Sequence, residues 1–256
     1  MAEVMDLFDT TESMSGMPRR TLTVFFIIDT SGSMFGEKIG QVNSAMEEVL
    51  QDLQDVDGAD AEIKMAVLLF SDGCEWLTPQ PIKLDANWTD IQAGGLTDFK
   101  AACEELNNKL SVSHGFMNSP SGCYAPVLIL MTDGYPTDDT TNGDNGIKLL
   151  NTNNWYKAAV KAAIAIGSGA NVELCSKFTG NSETVVTVYD VSQLRKVIKK
   201  IAVTSSQIAS QGRSRTELDS KDSDPIAPTA AMKDLGKVMQ GMMESGIDSS
   251  DDDYEW

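Results

Sequence analysis

Residues Thr21–Asp29 are apolar almost without a break, and the run ends on the loop Asp29-Thr-Ser-Gly-Ser-Met34. A strand without polar alternation has to be covered on both faces, which predicts a central position in a parallel sheet. The loop carrying Asp29, Ser31 and Ser33 then falls at that strand's carboxyl end. Asp29 brings charge, the hydroxyls at alternate positions bring neutral oxygens, and Gly32 allows a backbone path tight enough for them to converge. This is chemistry for a hard divalent cation. Two further loops share the character: Gly94-Gly95-Leu96-Thr97-Asp98, which opens a helical pattern, and Leu128-Ile-Leu-Met-Thr-Asp-Gly134, where a second apolar run stops on Asp133.

Between these loops, apolar runs alternate with helical periodicities. Glu37–Gln54 repeats Ile39, Val42, Met46, Val49, Leu50 and Leu53 at three- and four-residue intervals and predicts an amphipathic helix. Ala61–Ser71 reads as the second strand, and Glu75–Thr78 as an antiparallel edge strand ended by Pro79 and Pro81. Thr97 is placed to cap a helix running to about Leu110. Strands follow at Ala125–Thr132, Ala158–Ile166 and Thr184–Val191, with a short helix ending near Phe178 and a last helix at Ser192–Val203. The expected architecture is α/β and doubly wound: five parallel strands plus one antiparallel edge strand, helices on both faces, in a Rossmann-like arrangement.

The three segments DTSGSM, GGLTD and LILMTDG, in this order and spacing, resemble the metal-ion-dependent adhesion site of von Willebrand factor A (VWA) domains over roughly residues 20–203. The resemblance implies metal roles for Asp29, Ser31, Ser33, Thr97 and Asp133, and ligand binding in place of catalysis. Pro18-Arg19-Arg20 and Thr132-Asp-Gly-Tyr-Pro-Thr-Asp138 look most like bacterial TerY-type proteins associated with tellurite resistance. That likeness implies an adaptor in stress signalling beside a protein kinase and a serine/threonine phosphatase.

Hydroxyl-rich coordination with two carboxylates suits Mg²⁺, with Mn²⁺ or Ca²⁺ as alternatives, although Ca²⁺ normally takes more carboxylate oxygens. Ser31, Ser33 and Thr97 are expected to bind directly, and Asp29 and Asp133 mostly through water. Such a metal keeps enough positive character to take an Asp or Glu from a protein partner. Asp138 and Asp139 read as turn or cap residues, and His114 as a solvated loop side chain.

Enzyme readings find little support. Asp29-Thr-Ser31 lacks the second acid of aspartyl-phosphate enzymes, there is no G-x-S-x-G elbow or Walker loop, and the chain has a single histidine. A metal-dependent phosphatase is the alternative from a different class. A second binding-module reading is the VWA partner of a ring-forming AAA+ ATPase of the chelatase or MoxR kind.

The net charge of −18 argues against nucleic acid or an anionic membrane as partner. No apolar run reaches the length of a membrane span, and residues 1–18 hold four acids and no base, unlike a secretory signal. Cys74, Cys103, Cys123 and Cys175 are scattered, without a C-x-x-C pair, and read as reduced thiols in a cytoplasmic protein. The expected division is an acidic segment 1–18, a VWA domain 19–203, a flexible linker 204–227, and 228–256 as an amphipathic helix with an acidic tail. That helix would carry Met232, Leu235, Val238, Met239, Met242 and Met243 as one stripe, facing either its own domain or a partner. On a flexible tether of 47 residues, Asp251–Glu255 would reach the metal and compete for its open position.

Overall fold

A computed structural model describes residues 19–56, 61–84, 87–137, 141–189, 191–210 and 229–244. Seven strands form one sheet: β1 (Arg20–Asp29), β2 (Ala61–Phe70), β3 (Cys74–Trp76), β4 (Ile82–Lys83), β5 (Val127–Thr132), β6 (Val160–Ile166) and β7 (Val185–Val188). Their order is β3-β2-β1-β5-β6-β7, with β4 also on β2. The pairs β1·β2, β1·β5, β5·β6 and β6·β7 are parallel, which gives the five expected parallel strands. β3 and β4 are both antiparallel to β2. The prolines after β3 therefore interrupt the edge instead of ending it, because Ile82 and Lys83 re-pair once the chain has passed them.

β1 is buried from Thr21 to Asp29, as its unbroken apolar run requires. Leu22, Val24, Phe26 and Ile28 enter one core with α1 (Glu37–Val56) and α6 (Val191–Ser210). Phe25 and Ile27 enter the other, shared with α2 (Phe99–Lys109), α3 (Asp144–Leu150), α4 (Asn154–Ala158) and α5 (Val172–Thr179). Each such side chain contributes about 1.5–3 kcal/mol on burial, so two cores back to back make β1 the axis of the domain. The direction of chain progress reverses between β1 and β5, which opens a crevice at their carboxyl ends.

Two expectations need correction, and an alternative left open is decided. Asp98, not Thr97, caps α2, accepting from Ala101 N at 2.8 Å. A carboxylate oxygen is a stronger acceptor for exposed helix N–H groups, and this leaves the Thr97 hydroxyl for other use. α6 runs to Ser210, seven residues past its expected end at Val203, so residues 204–210 are helix and not linker. α7 (Thr229–Glu244) packs on its own domain, with Leu235 and Met239 fully buried in the first core. The flexible tether expected between the domain and the acidic tail is therefore partly helical. Residues 1–18, 211–228 and 245–256, and with them the acidic segment, most of the linker and the tail, lie outside the described residues, as do Asp138 and Asp139.

Candidate metal centre

Asp29 ends β1 and Asp133 follows β5, so parallel pairing of these strands brings two carboxylates to one edge. Asp29 is fully buried. Its Oδ1 accepts from Ser31 N at 2.8 Å, folding the loop back on the strand, and its Oδ2 accepts from the Thr132 hydroxyl at 2.6 Å. Ser31 precedes the 3-10 turn Gly32–Met34 but makes no side-chain cap bond. Its Oγ lies 3.0 Å from Ser33 Oγ, and Ser33 Oγ donates to Asp133 Oδ1 at 2.7 Å. Four of the five expected site residues are thus linked directly.

Thr97 joins them through the backbone. Gly32 N donates to Gly95 O at 3.0 Å and Gly94 N to Thr30 O at 2.8 Å, stitching the second loop to the first. Thr97 N donates to the Thr137 hydroxyl and Thr137 N to Thr97 O, each at 2.9 Å, which ties the second loop to the third. Gly95 has φ +83°, and a Cβ there would lie 2.7 Å from an Asp72 carboxylate oxygen, so the position excludes other residues. Asp72 in turn accepts from Leu96 N at 2.8 Å.

The sequence did not single out Lys38, Asp72, Thr132 or Thr137. Lys38 Nζ binds Asp133 Oδ2 and also donates to Ser33 O at 3.2 Å. A lysine in the first turn of a helix opposes the helix dipole, and that anomaly was its visible signal. Thr132 had only its place beside Asp133, and Asp72 read as an ordinary turn.

The donor set fits a hard cation. Among the described residues no three His, Cys, Asp or Glu side chains gather at one point; here two carboxylates are supplemented by hydroxyls. Burial pushes the Asp29 carboxyl above its ordinary value, against the hydrogen bonds from Ser31 and Thr132, and repulsion from Asp133 adds to the rise. A buried carboxylate in that condition is one a neighbouring divalent charge would stabilise. Phe35, Leu96, Tyr135, Val172 and Tyr189 are the large apolar side chains that are exposed among the described residues. Phe35, Tyr135, Val172 and Tyr189 lie on segments following the carboxyl ends of β1, β5, β6 and β7, and Leu96 lies on the loop that Gly94 and Gly95 tie to the first; three of the five are in the loops of the site itself.

The von Willebrand factor type A domain pattern matches residues 23–200, and the chain belongs to that family. Domains of this family generally mediate metal-dependent protein–protein interaction. The inter-alpha-trypsin inhibitor heavy chain H4 of Bos taurus is 33% identical over 141 residues, covering 51% of this chain and 14% of its own. The heavy chain H6 of Homo sapiens is 32% identical over 136 residues, covering 49% and 10%. The match spans only that small part of these longer relatives. Among solved structures, proximal thread matrix protein 1 from the mussel byssus, with a zinc-occupied MIDAS motif, aligns with a TM-score of 0.53 at 20% identity. It covers 73% of this chain and 48% of its own. The ArnB paralog VWA2 from Sulfolobus acidocaldarius aligns with a TM-score of 0.52 at 20% identity, covering 72% and 45%. These structures support the fold. Among the described residues no helix is long and apolar enough to cross a membrane.

Proposed function

We propose that the protein is a noncatalytic, Mg²⁺-dependent protein-binding module in which Asp29, Ser31, Ser33, Thr97 and Asp133 hold the metal. The observation that carries this is the setting of the buried cluster, with exposed Phe35, Leu96 and Tyr135 on its own loops. Exposed apolar side chains gathered at one edge mark a surface that another macromolecule covers. A divalent cation at the centre supplies Lewis acidity toward one further carboxylate. The chain's own groups do the remainder: Ser31, Ser33 and Thr97 present hydroxyl oxygens, and Thr132 and Ser31 N orient Asp29. Lys38 offsets part of the negative charge of Asp133, so two carboxylates do not fully neutralise the site. The partner this selects carries an Asp or Glu flanked by apolar residues. The chain's own Asp251–Glu255, beside Tyr254 and Trp256, has that chemistry and would act as a competitor.

The absence of catalysis is supported by the place of His114, which bonds Ser113 in the loop after α2 and not at the metal site. Cys74, Cys103, Cys123 and Cys175 are not joined in disulfides, which supports a reducing, cytoplasmic setting. A TerY-type role in stress signalling, beside a kinase and a serine/threonine phosphatase, rests on the resemblance of the segments flanking the motifs. Titration calorimetry with Mg²⁺ and Mn²⁺ tests the site: saturable heat is expected from the wild type and its loss from a folded Thr97→Ala protein. No heat from the wild type overturns the reading. Deleting residues 248–256 should tighten binding of an acidic peptide in Mg²⁺ and slightly weaken Mg²⁺ binding, because a tail on the open position also helps to hold the metal.

A further inference from the structure

At the amino end of the sheet lies a cavity of about 350 Å³. Thr23 on its wall lies six positions before Asp29 on β1, on the order of 20 Å of strand, so the two sites are distinct. Thr21 and Thr23 line it from β1 and Lys64 from β2, where Lys64 is the register partner of Thr23. Lys109 from the last turn of α2, with His114 and Ser119 from the connection to β5, adds further polar lining.

Thr23 is 1% exposed, and its hydroxyl is the one fully buried side-chain polar atom among the described residues without a hydrogen-bond partner. An unpaired buried hydroxyl costs stability, so its place in a cavity wall points to a partner from outside the chain. The cavity's charge also runs against that of the molecule. In a chain of net charge −18 its lining contains two lysines and the sole histidine but no carboxylate.

The acids nearest those lysines are Glu62, 3.5 Å from Lys64 and 3.4 Å from Lys83, and Glu105, 3.7 Å from Lys109. These distances exceed those of direct charge-assisted hydrogen bonds, which leaves ammonium protons for a ligand. Glu105 already accepts from Trp76 Nε1 at 2.7 Å. Thr21 Oγ donates to Ser119 Oγ at 2.8 Å, so the Ser119 proton is available as well. Pro79, Pro81 and Pro120 stiffen the walls, limiting the ordering cost of binding.

We propose that this cavity binds a small phosphomonoester, with Lys64 and Lys109 on the phosphate and the hydroxyls of Thr23 and Ser119 donating to its oxygens. A tetrahedral dianion uses several donors at once, and the remaining volume admits a small polar organic body beside Asn118 and Gln80. The test is a titration in EDTA, which removes the metal site from the readout, with glycerol 3-phosphate as probe and chloride at matched ionic strength as control. His114 supplies the only imidazole NMR signals. A saturable shift is expected for the full chain, weakened about tenfold in each of Lys64→Met and Lys109→Met. Thr23→Val should weaken binding several-fold while remaining folded. A shift that does not saturate, or one unchanged in both lysine variants, overturns the site. Inorganic phosphate binding as tightly as glycerol 3-phosphate overturns the assignment to a phosphomonoester.

Discussion

β1 delivers Asp29 at its carboxyl end into a cluster of hydroxyls and a second carboxylate, and presents Thr21 and Thr23 at its amino end to a cavity whose charged lining is lysine. The carboxyl end is made by loops tied to one another, Gly32 to Gly95 and Thr97 to Thr137, around two buried acids that need a cation. The amino end is made by strand positions and proline-stiffened loops around a hydroxyl that needs a partner. One end is rimmed by exposed aromatic and aliphatic groups and suits a macromolecule; the other is a polar recess and suits a small molecule. Sheet polarity, together with where the carboxylates fall, separates the two chemistries.

The largest expected effect on this comparison comes from Asp29→Ala. Divalent metal affinity, read by calorimetry or Mn²⁺ magnetic resonance, should fall by about 100-fold or more. Glycerol 3-phosphate binding at the other end should be unchanged. Lys38→Met should act in the opposite sense. Removing one positive charge beside the metal relieves a repulsion of roughly 1–2 kcal/mol, so metal affinity should rise by about tenfold. Binding of an acetate or acidic-peptide probe to the metal-loaded protein should weaken, because the site then carries less positive charge.

A third prediction concerns Lys161, buried on β6 with its ammonium on Tyr156 O and over the Tyr156 ring. Desolvation lowers its pKa to about 8, from 10.5. Above pH 8 the unfolded chain therefore binds a proton that the folded chain has released, and stability should rise with pH. The slope is bounded by about 1.4 kcal/mol per pH unit. Burial raises Cys74 to about 11 and Cys175 to about 12, from 9.0, so their loss of stability begins as pH approaches 9 and opposes the rise from Lys161. In urea unfolding between pH 8 and 9, the stability change of the wild type should exceed that of Lys161→Met by about 1 kcal/mol. The smallest effect is expected from Thr23→Val, which removes an unpaired hydroxyl at nearly constant shape. It should stabilise the ligand-free protein by roughly 0.5–1 kcal/mol in the same assay.

Much of this was legible in the chain because it is encoded locally. The unbroken apolar run before Asp29 could only be a doubly covered strand. The spacing of Ile39, Val42, Met46 and Val49 could only bury one helix face, and all four are buried. Other features depended on neighbours distant in sequence. Thr97 and Asp98 are adjacent and both are fit to cap α2; Asp98 takes the role while Thr97 is bound through its backbone to Thr137. The stripe of α7 looks the same whether it meets a partner or its own domain, and only packing shows Leu235 and Met239 inside the first core. Thr23 read as one more strand residue because its missing partner is a property of the space around it.

The amino-acid order by itself determined the strand–helix alternation and the carriage of Asp29, Ser31, Ser33 and Asp133 on loops, because periodicity and turn chemistry act over a few residues. Only the tertiary structure decided that Lys38 lies on Asp133, that Asp72 holds the Gly95 loop, and that Lys64, Lys109 and an unpaired Thr23 hydroxyl share one cavity. Those pairings span tens of residues, and parallel strand register, set by the two buried cores, brings them within reach.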